Sequence, residues 1–183
     1  MPRLQPLTPE TMTAEQKRIA DEIAAGPRGG MRGPFQAWLR SPALADRGQK
    51  LGEYCRFNTS IPPKLSELAI LVTAQHWAAQ YEWYAHARIA AERGVPAATI
   101  EAIRTGRTPA FENADEALVY GFAREYYATR RIGDATYKAA VARFGEAGIV
   151  DLVGIMGYYG LVAMTLNVFD MPLPDGVPEP LAL

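Results

Sequence analysis

Thiols are almost absent from this chain of 183 residues, whose one cysteine is Cys55. That excludes an intrachain disulfide framework, a Cys-x-x-Cys redox pair and a thiolate zinc site. Cys55 reads as a buried thiol behaving as a small apolar side chain. Histidine is scarce too, with two residues, His76 and His86. An excess of one charge is also lacking. Lys and Arg number 19 against 20 Asp and Glu, for a formal net charge of -1, and no block of like charges stands out. Neither nucleic acid nor an anionic membrane is therefore the expected partner. The start, Met1-Pro2-Arg3-Leu4-Gln5-Pro6, lacks the apolar stretch of a secretory signal, so the expected location is the cytoplasm. No segment alternates apolar and polar residues convincingly as a strand.

What is present points to helices. Hydrophobic residues make up 49% of the chain, enough for a single domain with its own core. Thr13 followed by Gln16 is a capping-box pattern, and Gly26-Pro27 ends that helix. Ser41-Pro42 predicts a second start, with Leu44, Gly48, Leu51 and Cys55 at helical spacing. Ile61-Pro62-Pro63 breaks the chain. Residues 64–93 read as helical with Gly94 as the stop, and their length suggests a break near Trp77-Ala78-Ala79. Residues 96–105 predict a short helix closed by Gly106. Asn113, with Glu116 three residues on, predicts another start. Asp134 is expected to cap a helix carrying Tyr137, Val141 and Phe144, and a last helix covers roughly 146–167. The charge-free run 152–169 approaches the length of a membrane span, yet its glycines, tyrosines and Asn167 suit a helix buried inside a soluble protein. The tail from Asp170 onward holds four prolines and predicts extended chain. The fold class is all-α.

The stretch Tyr81-Glu82-Trp83-Tyr84-Ala85-His86-Ala87 places a carboxylate and an imidazole one helical turn apart. One reading is a surface ion pair of small energetic weight. The other is an active-site edge: both histidines and two of the three tryptophans fall within a few residues of it, and a histidine deprived of water beside a carboxylate is how a general acid or base is tuned. A metal site built from Glu82, His86 and His76 is disfavoured by their directions around a continuous helix. Glu67 is either a first-turn carboxylate favoured by the helix dipole or a functional group. Tyr159 and Asn167 share one stripe of the last helix, as core and helix-end residues or as pocket residues. Arg40, Arg88 and Arg104 are candidate carboxylate partners or solvated surface cations.

Leu65-Ser66-Glu67-Leu68-Ala69-Ile70-Leu71, then Tyr81-Glu82-Trp83-x-x-His86 and Gly94-Val95, resemble the carboxymuconolactone decarboxylase family, which includes the AhpD-type alkylhydroperoxidases. Gly154-Ile155-Met156-Gly157-Tyr158-Tyr159 and Leu166-Asn167-Val168-Phe169 are similar to family members too. The resemblance implies an N-terminal extension over 1–33, an AhpD-like helical domain over 34–172 and a Pro-rich tail over 173–183. It also departs from the peroxidase branch. Where that branch carries Glu, Cys-x-x-Cys and His, this chain carries Glu67, Ala79, Glu82 and His86, so the thiol nucleophile is missing. Glu82 looks like the decarboxylase branch. The resemblance further implies a homo-oligomer (trimer or hexamer), a site among helices near a subunit contact, a small-molecule substrate, and no metal or organic cofactor. The prototype reaction takes a γ-carboxylated muconolactone to an enol-lactone with loss of carbon dioxide. On that pattern His86 is the expected proton donor, Glu82 sets its tautomer and charge, and Glu67 assists. His76, Tyr81, Tyr159 and Asn167 are the expected substrate-binding residues. Two alternatives stand beside it: an AhpD-like antioxidant domain by fold alone, and a non-catalytic oligomer that binds a small ligand. Within the same fold, isomerisation, hydrolysis or cyclisation of another unsaturated acid is a further option.

Overall fold

The computed structural model describes residues 3–27 and 29–182, so Met1, Pro2 and Arg28 of the expected N-terminal extension and Leu183 of the expected tail lie outside the described residues. Among the described residues all regular structure is helical and no strand occurs. Helix α1 spans Ala14–Ala25 and opens on the reciprocal bonds of the Thr13–Gln16 capping box. A single turn, α2, covers Phe35–Trp38. Helix α3, Pro42–Glu53, starts at Ser41 with Pro42 in its first turn, and runs directly into a π-helical turn, Tyr54–Asn58. Then follow α4 (Pro63–His76), α5 (Gln80–Glu92), α6 (Ala97–Arg104), α7 (Ala114–Thr129) and α8 (Asp134–Val168).

Helix α4 is the axis of the molecule. Residues 65–74 are buried without interruption, the signature of a helix surrounded on all sides. Helices α5, α7 and α8 close around it, with α6 at one end. The break expected near residues 77–79 is present: α4 ends at His76, Ala78 adopts a left-handed φ of 48°, and α5 begins at Gln80. Asn113 caps α7 by accepting from the amides of Asp115 and Glu116.

Two elements differ from the sequence reading. Gly133, not Asp134, occupies the cap of α8, and Asp134 sits in its first turn. The two helices expected over 134–144 and 146–167 join into one rod, kinked where Gly145 takes φ 70° and ψ 170°, a conformation open essentially to glycine alone. The α2 turn and the π-turn carry no periodic signal that so short a segment can show.

The second half of α8 is the long apolar stretch. By length and composition α8 is able to cross a membrane, but 67% of its most apolar window is buried within the protein. The tail folds back over the chain. Gln80 exchanges two bonds of 2.9 Å with the backbone of Leu181, Arg104 donates to the Pro180 carbonyl, and Leu181 is buried.

Candidate active site

Helices α4 and α5 present Glu67, Glu82 and His86 to one another, and all three are buried. His86 Nδ1 lies 2.7 Å from Glu67 Oε2. A carboxylate there favours a proton on Nδ1 and leaves Nε2 as the nitrogen available to a ligand. The expected pairing of Glu82 with His86 does not form: the imidazole's carboxylate partner comes from the neighbouring helix, nineteen positions earlier. Same-face spacing brings two residues near each other on a helix surface, but inside a bundle a side chain on the adjacent helix competes for the same hydrogen bond.

Glu82 therefore has a different chemistry. It is 1% exposed, and neither carboxyl oxygen has a hydrogen-bond partner among the described residues. Loss of water, with the Glu67 carboxylate adding to it, pushes its pKa well above the usual carboxylic range. Burial therefore favours the protonated form of Glu82, and the residue borders an enclosed space beside the site.

That space is a cavity of about 540 Å³ bordered by Glu82 and His86, of a size that suits a small organic ligand. Its buried wall is aromatic. The Tyr159 ring meets the His86 ring edge-on at 4.8 Å, and Tyr158 stands perpendicular to Tyr159 at 5.2 Å. Phe35, Val162 and Leu166 add to the apolar part. Tyr81 borders the cavity, as expected, and approaches Gly33.

Two expected substrate-binding residues lie elsewhere. His76 is exposed at the end of α4, with its ring stacked 4.2 Å from that of Tyr127. Burial against this ring, with Arg124 and Arg130 nearby, lowers its pKa. Its separation from His86 by the turn at Ala78 takes it out of the site. Asn167 donates from Nδ2 to the Trp77 carbonyl at 2.7 Å, so it ties the end of α8 to the α4–α5 turn. It holds the two site-bearing helices in register and does not border the cavity.

Among the described residues three arginines also border the cavity: Arg32, Arg56 and Arg88. Arg88 was a sequence candidate. Arg40 and Arg104 are engaged away from it, the first with the carbonyls of Gln5 and Gln36, the second with Glu101 and Pro180. Arg32 and Arg56 were missed, as was Tyr158. The glycines around Arg32 were the one signal in the sequence, since they mark a loop able to approach other groups closely. Cys55 is buried in the π-turn, forms no disulfide and does not border the cavity. Among the described residues no cluster of His, Cys, Asp and Glu is arranged to hold a metal ion.

Comparison with known proteins adds one match. The model of the Carboxymuconolactone decarboxylase family fits residues 42–125, from the start of α3 into α7. No curated protein matches the chain. The matched segment holds Glu67, Glu82 and His86, whereas Tyr158, Tyr159 and the loop bearing Arg32 lie outside it. Over residues 42–125 this chain is similar to the carboxymuconolactone decarboxylase family.

Proposed function

We propose that the protein is a cofactor-independent, decarboxylase-like lyase acting on a small unsaturated lactone or carboxylic acid. The observation that carries this reading is the buried, unpartnered Glu82 facing the same cavity as the Glu67–His86 pair. A neutral carboxylic acid and an oriented imidazole are two proton-bearing groups at one apolar site, which is what loss of a carboxylate from an unsaturated acid requires.

In the proposed step the bond between the substrate carbon and its carboxylate breaks. Carbon dioxide leaves, and the electron pair spreads into the conjugated carbonyl. Charge collects on the carbonyl oxygen, where the Glu82 hydroxyl donates a hydrogen bond. His86 then delivers a proton from Nε2 to carbon, and Glu67 stabilises the imidazolium before transfer and holds the ring in place afterwards. Solvent returns one proton to His86, so the sum is one carboxylate and one proton converted to one carbon dioxide and one reduced C–H. The aromatic wall of Tyr158 and Tyr159 limits water, which strengthens both hydrogen bonds.

Thiol peroxidase chemistry is disfavoured by the residues themselves, because Ala79 and Glu82 stand at the cysteine positions and Cys55 is remote from the cavity. The same reading takes the protein to be cytoplasmic and a homo-oligomer, trimer or hexamer. Supporting assembly, Val150, Val153, Met164 and Val168 form an exposed apolar stripe along α8.

The test is carbon dioxide release and enol-lactone formation from γ-carboxymuconolactone, wild type beside His86→Ala. Turnover by the wild type that falls at least about 100-fold in the variant supports the reading. A folded His86→Ala protein with normal turnover removes His86 from the chemistry, and an inactive wild type removes this substrate.

A further inference from the structure

We propose that Arg32 and Arg56 form an anion-binding subsite of this cavity, which holds a carboxylate that the substrate keeps throughout the reaction. The inference rests on the cavity being the site of action. It adds which side chains of this protein hold the substrate's non-reacting anionic arm.

The cavity is polarised. The residues that close its inner end, Glu82, His86, Tyr158 and Tyr159, are buried. Arg32 is exposed and Arg56 half-buried, so the cationic groups belong to the solvent side. Among the described residues Glu82 is the one carboxyl side chain bordering the cavity, and burial disfavours the charged form that would neutralise them. Neither Arg32 nor Arg56 has a hydrogen bond or a carboxylate partner among the described residues. Arg88, Arg104 and Arg143 differ in being paired with Glu92, Glu101 and Asp115.

Local structure restrains Arg56 and brings the loop that bears Arg32 to the cavity border. Arg56 lies within the π-turn, a rare element that recurs at functional sites. Asp151 fastens that turn at both ends, accepting 2.7 Å bonds from the Tyr54 hydroxyl and from the Ser60 amide and hydroxyl. The Arg56 guanidinium lies 5.2 Å from the Phe57 ring centre, a stacking contact that limits its freedom. Arg32 sits in a loop whose glycines, Gly29, Gly30 and Gly33, all take positive φ. A side chain at Gly33 would meet Tyr81 at an ordinary contact distance of 3.7 Å, so the loop lies beside the cavity wall.

The chemistry says which carboxylate these arginines hold. A carboxylate that departs as carbon dioxide loses its charge in the transition state. A guanidinium on it would bind the ground state more strongly than the transition state and slow the reaction. A carboxylate that stays keeps its charge throughout, and binding it positions the substrate without that penalty. The guanidinium pair therefore serves the retained arm, with the reacting carboxylate at the neutral, aromatic end.

The experiment is calorimetric binding of muconolactone, an unsaturated lactone with one carboxymethyl arm, against its uncharged methyl ester. Wild type, Arg32→Ala, Arg56→Ala and Arg143→Ala are compared, with circular dichroism as the check on folding. The wild type is expected to prefer the acid over the ester. Arg32→Ala and Arg56→Ala should each weaken acid binding about tenfold and leave ester binding unchanged. Arg143→Ala, whose guanidinium is paired with Asp115 and does not border the cavity, should change either by less than about twofold. The proposal is overturned by no binding of the acid, by equal binding of acid and ester, or by variants that lose both alike. An intact acid preference in a protein that releases no carbon dioxide from γ-carboxymuconolactone would remove that substrate and leave the subsite standing.

Discussion

Glu82 is the residue at which stability and function meet. A buried acid whose folded pKa lies above its unfolded value near 4.5 binds more protons folded than unfolded. The stability that depends on its proton is fully present below pH 4.5 and is lost as pH rises through the folded pKa. A Glu82→Gln variant keeps a neutral side chain at every pH. Its melting temperature relative to wild type should rise steadily above pH 4.5, and parallel curves would show that Glu82 is not held neutral. In turnover, Glu82→Gln retains a hydrogen-bond donor and should keep part of the activity. Glu82→Ala removes the donor and should lose about 100-fold or more. The alkaline limb of the wild-type pH–rate profile should be absent or moved in Glu82→Gln. His76→Ala provides the contrasting case, since it stands outside the cavity and should leave kcat/KM within about twofold, in keeping with a surface substitution remote from the site.

At the scale of elements, two devices position the site. The first is the Asp151 clasp on the π-turn. Burial acts to raise the Asp151 pKa, but the bonds from Ser60 and Tyr54 outweigh it and hold the carboxylate below its usual value of 3.8. Its stabilising contribution is thus present above that value and is lost as pH falls through the lowered folded pKa. Asp151→Ala should destabilise the protein by about 2 kcal/mol, as expected for losing charge-assisted hydrogen bonds. Denaturant unfolding at neutral pH checks this, and an unchanged midpoint would mean the turn needs no clasp. The second device is the Gly145 kink. It lets one continuous rod present Asp151 to the π-turn and Tyr159 to His86. Gly145→Ala forces a side chain into a backbone region that L residues avoid and should cost about 1–3 kcal/mol by the same measurement.

For the whole molecule, α4 unites the parts. Its buried length carries Glu67 and packs against α5, α7 and α8, so the site is set by the assembly of helices and not by one motif. The apolar stripe on α8 belongs to this scale as well. Light scattering after size exclusion should give a mass several times that of the 20.0 kDa chain, and Val153→Asp should lower it. A monomeric wild type would remove the assembly proposal.

Much of this architecture was legible in the amino acids. The capping box at Thr13, the cap at Asn113, the prolines at 62 and 63 and the break before α5 are local signals, and the structure carries each of them. Local signals work because a cap or a turn is decided by residues a few positions apart, whose conformational preferences act before any tertiary contact forms. The family pattern around Glu67, Glu82 and His86 was visible for the same reason, as a spacing along the chain. Which carboxylate holds His86 was not visible, because that choice depends on the crossing of α4 and α5. Nor was the placing of His76 and Asn167 outside the cavity, or of Arg32 and Arg56 on its border: each follows from helix packing that joins residues far apart in sequence. The sequence alone determined the helices and the set of chemical groups. Only the tertiary structure decided which of those groups lose their water, and burial is what makes Glu82 an acid and Glu67 the partner of an imidazole.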